Sequence, residues 1–333
     1  MPPDIVIVAN CRSERGPLQS VIAALPEAEE VCFPAELQVG HPSRVMSLAL
    51  DYFHGAFARL NPRVVVVLGD RYETLAAALA ATFLRETLVS IQRIKLVHIH
   101  GGETTTGAFD DALRHSITHL TEQSGGAHCV ATYDAQERVY EMLGGKVGPD
   151  RLRIVGAPGL DGVEGSSATR TDKLILVTYH PETRAADYGL AGCKAMLGAL
   201  PLGYETRFCG VNNDPGNADI RAAINNQLLN HGGVWCPDMP HAMYVGLMQR
   251  ASLVIGNSSA GIIEAPWVGV PSVNIGMRQH GRPHAHSVTT APVGNVESIR
   301  LAITTALSWR GPWAPCYRGG AAPRIAEIVR GMV

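Results

Sequence analysis

The stretch VHIHGGETTTGAFDDALRHSITH, Val97 to His119, gathers more acid/base-capable side chains than any other part of the 333-residue chain. An apolar run carries His98 and His100, breaks at Gly101-Gly102 and presents Glu103. A polar loop follows, then Asp110-Asp111, then a segment of helical spacing with Arg114 and His115. Strand, glycine break, acid, acids and helix in that order put several carboxylates at one strand end, where open α/β sheets bind their ligands. Carboxylates so placed suit proton transfer to and from a bound substrate. Alternation along the strand predicts that His98 and His100 share a face. With Glu103 they also have the donor types of a metal site, but no second His/Cys cluster at ligand spacing supports one, and none is expected.

Other strand ends carry chemistry too. Val64 to Leu68 runs into Gly69-Asp70-Arg71-Tyr72-Glu73, where Asp70 with Glu73 three residues on has the spacing of a capping box, so capping and a functional role weigh equally there. Asp4 to Ala9 opens into a polar break, residues 10–17, which reads either as a phosphate-meeting loop served by Arg12 or simply as a solvated loop. Lys173 to Tyr179 runs into His180. Leu253 to Gly256 ends in Asn257-Ser258-Ser259-Ala260-Gly261, small residues ahead of a helical segment. They read as an ordinary N-cap, or as backbone N–H groups and a helix dipole directed at an anion. Glu264 lacks the Ser/Thr partner of a capping box, and such a carboxylate suits a ribose diol. Pro271 to Ile275 ends in a loop with Arg278, Gln279 and Arg282, read as a mobile anion-contacting segment.

The elements that must hold these residues alternate strand and helix twice, with a Gly/Ser/Ala/Thr-rich shift near residues 162–171 reading as a linker. The expectation is an α/β protein of two domains, residues 1–165 and 170–320, closing with a helix in 321–333. At 46% hydrophobic and 17% charged residues the chain can fill two cores. A formal net charge of −2 leaves no basic footprint for nucleic acid. Seven scattered cysteines form no C-x-x-C pair and read as buried thiols in a reducing compartment. Neither a signal peptide nor a membrane span is legible, so a soluble, cytoplasmic protein is expected. Walker and G-x-G-x-x-G motifs are absent from the sequence.

Taken together, seven segments resemble the hydrolysing UDP-N-acetylglucosamine 2-epimerases of bacterial sialic-acid synthesis. They are Gly69-Asp70-Arg71-Tyr72-Glu73, His98-Ile99-His100-Gly101-Gly102-Glu103, Asp110-Asp111-Ala112-Leu113-Arg114-His115, residues 156–161, residues 179–183, residues 256–265, and Asn274-Ile275-Gly276 with Arg278-Gln279 and Gly281-Arg282. The resemblance implies two Rossmann-like domains of the glycosyltransferase-B type, with the C-terminal helix packing back on the first, UDP held mainly by the second and the active site in the interdomain cleft. It implies that Asp70, Glu103 and Asp110 are the acid/base carboxylates and that His180 is a catalytic contact at the pyrophosphate. Ser258 and Ser259 would meet the phosphates, Glu264 the ribose, and Arg12 the role of the arginine in the family's first loop. His100, Asn257, Gly261, Arg278, Gln279 and Arg282, which stand in the matching segments, complete the expected substrate contacts.

No cofactor or metal is implied, the partner is a UDP-sugar, and a homodimer or homotetramer is expected. The first loop departs from the family's T-R-A-E/D-Y-G, with Arg15 where a tyrosine is usual, and Glu86 to Arg93 reads as an inserted surface loop. The expected reaction converts UDP-N-acetylglucosamine to N-acetylmannosamine and UDP. UDP-N,N′-diacetylbacillosamine is the alternative substrate, and a non-hydrolysing epimerase or a glycosyltransferase of the same fold are the alternative activities.

Overall fold

A computed structural model describes residues 3–10, 12–87, 94–164, 173–236 and 239–333. The chain divides into two compact units, one of residues Met1–Glu103, Asp110–Gly162 and Tyr317–Val333, the other of Thr104–Phe109 and Val163–Cys316.

The first unit is built on β1 (Ile5–Val8), β2 (Glu29–Val31), β3 (Val64–Leu68), β4 (Lys95–Ile99), β5 (Ala127–Val130) and β6 (Leu152–Ile154). They form one parallel sheet in the order β2-β1-β3-β4-β5-β6. Its helices are α1 (Arg12–Ala24), α2 (Pro42–Leu60), α3 (Tyr72–Thr87), α4 (Asp110–Gln123) and α5 (Tyr133–Met142), together with a C-terminal helix, Ala321–Arg330. The β-branched runs of β1 and β3 are buried on both faces because alternate side chains enter opposite cores. Val6, Val8, Val65 and Val67 join α2 and α3 on one side. Ile5, Ile7, Val64 and Val66 join α1 and the C-terminal helix on the other.

The second unit repeats the plan with β7 (Leu174–Thr178), α6 (Leu190–Ala199), β8 (Glu205–Cys209), α7 (Asn217–His231), β9 (Val234–Cys236), α8 (His241–Arg250), β10 (Leu253–Gly256), α9 (Glu264–Trp267), β11 (Ser272–Ile275), β12 (Val288–Ala291) and α10 (Val296–Leu307). The sheet order is β12-β11-β10-β7-β8-β9, all parallel. Ile175, Val177, Ile255 and Val273 face α6, α7 and α10, while Leu174, Leu176 and Val254 face α8 and α9. In both sheets the strand order reverses once, between β1 and β3 and between β7 and β10. Such switch points leave a crevice at the strands' carboxyl ends.

Several local expectations change. β2, β9 and β12 are strands of three, three and four residues at sheet edges, too short and too exposed for a periodic signal. The polar break after β1 is shorter than the sequence suggested. α1 begins at Arg12 and contains Pro17, which gives up one backbone donor without ending the helix. The segment from Glu86 is not simply a loop, because α3 continues through Thr87; residues 88–93 lie outside the described residues. So does most of the expected linker, residues 165–172. Among the described residues no helix is long and apolar enough to cross a membrane.

Three buried titratable groups in the first unit give it a defined pH response. Burial lowers His98 to about 3 and His128 to about 4 from 6.5. His98 Nε2 shares a 2.8 Å hydrogen bond with the Gly69 carbonyl, and His128 Nε2 lies 3.4 Å from Glu122, whose carboxylate Arg151 clamps at 2.7 and 2.9 Å. Both rings fold neutral, so their contribution is complete above pH 6.5 and is lost as pH falls toward their folded values. Each costs up to about 1.4 kcal/mol per pH unit over that window.

Glu14 acts with the opposite sign. Burial raises it from 4.5 to about 7, so its contribution is complete below 4.5 and lost as pH rises through 7. Between pH 6.5 and 4.5 the two histidines outweigh the one carboxyl, and the urea midpoint is expected to fall on acidification. Glu14→Gln is expected to be more stable than wild type at pH 8 relative to their difference at pH 5. Equal differences at the two pH values would contradict the assignment.

Candidate functional site

The candidate residues fall into two groups, one at the carboxyl ends of each sheet. In the first unit, Asp70 follows β3, His100 and Glu103 follow β4, and Asp110 opens α4. Asp70 does not form the capping box its spacing suggested. Its carboxylate pairs with Arg114 of α4, while Glu73 pairs with Arg71 at 3.1 Å. The Arg114 side chain is only 2% exposed against 22% for Asp70, and its Nη1 also donates to the His100 carbonyl at 3.1 Å. A buried guanidinium requires a counter-charge, and that demand draws Asp70 away from the end of α3.

His98 and His100 do not share a face. β4 ends at Ile99, and His100 turns into the left-handed region at φ 62°. His98 stays in the core beneath it. Among the described residues no group of three His, Cys, Asp or Glu is arranged to hold a metal.

The glycine break has a steric cause. Gly102 has φ +72°, and a Cβ there would run into the Ala135 carbonyl and come within 2.8 Å of Val139. Its own carbonyl accepts from Arg138 Nε at 2.7 Å. The peptide that delivers Glu103 is therefore fixed from two sides. Glu103 itself has no exposed surface and accepts a 2.7 Å hydrogen bond from the Tyr317 hydroxyl. Tyr317 stands in a Gly/Pro-rich stretch without periodicity, so no sequence signal pointed to it.

Glu14 was also missed. It accepts from Asn10 N–H at 2.9 Å and from Thr74 Oγ1 at 2.6 Å, beside the β1/β3 switch point. The side chain of Arg12 lies outside the described residues.

In the second unit the switch point is closed by a reciprocal pair. His180 N–H donates to Asn257 Oδ1 at 2.7 Å, and Asn257 Nδ2 returns a bond to the His180 carbonyl at 2.8 Å. Gln279 Nε2 donates to the Asn257 carbonyl at 2.9 Å, with Arg278 Nη1 at 3.4 Å from the same oxygen. Asn212 N–H donates to His180 Nδ1 at 3.3 Å. A neutral ring that accepts at Nδ1 carries its proton on Nε2, so His180 is set up as a donor there.

Gly276 sits at φ +77°, a backbone conformation that strains any L side chain, and a Cβ there would also crowd Val293 and the Glu182 carboxylate. Burial raises the pKa of that carboxyl, against the pull of Asn257, Met277 N–H and Arg278. The segment Thr104–Phe109 is fastened within this unit. Thr106 Oγ1 meets His280 at 3.1 Å, Phe109 N–H donates to Thr183 at 2.8 Å, and Arg282 Nε reaches the Thr104 carbonyl at 3.4 Å.

The small-residue loop after β10 is reshaped relative to expectation. Ser258 caps a single 3-10 turn, Ser259–Gly261, and α9 has only four residues, so little helix dipole stands behind the loop. Glu264 sits in α9, and its Oε1 lies 3.8 Å from His241 Nε2 of α8.

Two parallel sheets in Rossmann-like order, each with polar side chains at its switch point, define a two-domain α/β protein of the glycosyltransferase-B type. The chain belongs to the UDP-N-acetylglucosamine 2-epimerase family, whose model matches residues 32–330. It is 30% identical over 263 residues to a GDP/UDP-N,N′-diacetylbacillosamine 2-epimerase (hydrolyzing) of Campylobacter jejuni, covering 76% of this chain and 66% of that relative's length. It is 30% identical over 273 residues to a UDP-N-acetylglucosamine 2-epimerase of Neisseria meningitidis serogroup B, covering 77% and 67%. A crystal structure of UDP-GlcNAc 2-epimerase from Neisseria meningitidis bound to UDP-GlcNAc shares the fold with a TM-score of 0.73 at 17% identity, covering 96% of this chain and 97% of that one.

Proposed function

We propose that the protein is a hydrolysing 2-epimerase that converts UDP-N-acetylglucosamine to N-acetylmannosamine and UDP. A carboxylate removes the C2 proton as UDP departs from C1, leaving a 2-acetamidoglucal. Water then adds, its oxygen at C1 and a proton at C2 on the opposite face. Proton transfer belongs to the first unit, through Asp70, Glu103 and Asp110, and nucleotide binding to the second. His180 donates to the departing diphosphate through Nε2–H. Arg278 and Arg282 supply positive charge to the diphosphate, and Arg12 is a further phosphate contact. Asn257, Ser258, Ser259, Gly261 and Gln279 shape the loop that receives it, His100 completes the sugar contacts, and Glu264 binds the ribose.

The observation that carries this reading is the gathering of Asp70, Glu103 and Asp110 at the carboxyl end of the first unit's sheet; within the second unit, His180 Nδ1 accepts from Asn212 N–H. Carboxylates so placed suit proton transfer at carbon, and a histidine that donates at Nε2 suits a departing diphosphate. The 30% identity to a hydrolysing diacetylbacillosamine epimerase supports a second substrate with the same chemistry. Incubation with each UDP-sugar in the absence of an acceptor tests both readings. Free 2-epimeric sugar plus UDP is expected from one of them. A UDP-linked product, or no product without an acceptor, would contradict hydrolysis.

Ribose binding is the same in ground and transition state, so its loss weakens affinity more than turnover. Glu264→Ala is accordingly expected to raise KM more than it lowers kcat. Unchanged UDP affinity by calorimetry would remove Glu264 from the ribose.

A further inference from the structure

Glu103 is the last residue of the first unit's opening segment and Tyr317 the first residue of its closing one. These two residues, 214 positions apart, are joined by the 2.7 Å bond from the Tyr317 hydroxyl to Glu103 Oε2. Both side chains are completely buried. Bonds of this kind, from a neutral hydroxyl to a carboxylate away from water, are short, directional and stronger than neutral ones.

The segment that carries Tyr317 is itself anchored. The Arg318 carbonyl accepts from Ala157 N–H at 2.8 Å. The Asp161 carboxylate accepts from the N–H groups of Gly320, Ala321 and Ala322 at 2.5, 2.9 and 2.6 Å. These are donors at the start of the C-terminal helix, α11 (Ala321–Arg330), which otherwise lack intrahelical partners. On the other side Gly102 and Arg138 fix the peptide before Glu103. Within this frame the phenol gives one carboxylate oxygen of Glu103 a buried, directional partner.

We propose that Tyr317 is a positioning residue for the reaction, holding one oxygen of Glu103 so that its carboxylate keeps a single orientation toward the sugar. The proposal rests on the reading of Glu103 as a proton-transfer group. A carboxylate free to rotate would spend most of its time away from the geometry that proton transfer requires.

The test is a double-mutant cycle of Tyr317→Phe and Glu103→Gln, measured for kcat, KM and UDP affinity. It is run at a temperature at which circular dichroism shows all four proteins folded. Phenylalanine keeps the ring that fills the core and removes only the hydroxyl. In the wild-type background Tyr317→Phe is expected to lower kcat about 10- to 100-fold, with KM and UDP affinity changed less than about twofold. In the Glu103→Gln background the same change should cost almost nothing, because the two residues act as a unit.

Equal losses in both backgrounds, unchanged turnover, or a defect confined to UDP binding would overturn the proposal. A wild-type protein that bound UDP but converted neither UDP-sugar would instead overturn the functional reading, and this inference with it. Conversion by wild type with an additive cycle would remove the role of Tyr317 alone.

Discussion

Glu103→Gln is expected to lower kcat by about 10²–10⁴-fold, the usual contribution of a positioned acid or base, while UDP binds as tightly as before. The substitution keeps the size of the side chain and can still accept from Tyr317, so the fold should not register it. The C2 proton of a 2-acetamido sugar is poorly acidic, and an amide cannot remove it. Asp110→Asn, at the first position of α4, should behave similarly. Steady-state kinetics beside calorimetric UDP titration check both variants. Near-normal turnover in both would make the end of β4 a structural feature and nothing more.

Asp70 should respond differently, because it carries a structural duty as well. Its carboxylate faces Arg114, whose side chain is 2% exposed. Removing one partner of a buried pair leaves the other charge uncompensated, typically at about 3–5 kcal/mol. Asp70→Ala is therefore expected to unfold at a clearly lower urea concentration than wild type. Asp70→Ala/Arg114→Met, which removes both charges, should recover much of the loss. With two units unfolding, the transition is best followed by a probe confined to the first. A wild-type midpoint for Asp70→Ala would mean that the guanidinium is satisfied by its other contacts. Loss of activity in Asp70 variants is interpretable only beside these curves, which makes Glu103 and Asp110 the cleaner tests of chemistry.

Much of this arrangement was legible in the residues themselves. Continuous β-branched runs such as Val64–Leu68 announced strands buried on both faces, and the repeated strand–helix alternation announced a doubled α/β fold. Strand-end glycines marked where function could gather. What escaped were features fixed by tertiary contact alone. The edge strands β2, β9 and β12 have too few residues to show a period. The partner of Asp70 lies 44 residues away on another helix, so local spacing suggested a cap that the buried Arg114 overrides. His100 leaves the strand alternation because the backbone turns left-handed at that residue. Tyr317 and Asn212 come to Glu103 and His180 from segments with no motif, and only the folded chain brings them there.

The most direct measurement is turnover of the UDP-sugar in D₂O and, separately, in H₂¹⁸O, with products read by NMR and mass spectrometry. Elimination and re-addition predict free sugar that carries deuterium at C2, because the incoming proton originates in solvent. They also predict ¹⁸O at C1 of the sugar and none in UDP, because the C1–O bond breaks and the P–O bond survives. Heavy oxygen on the phosphate, or a sugar released with its original hydrogen at C2, would contradict the mechanism proposed for Asp70, Glu103, Asp110 and His180.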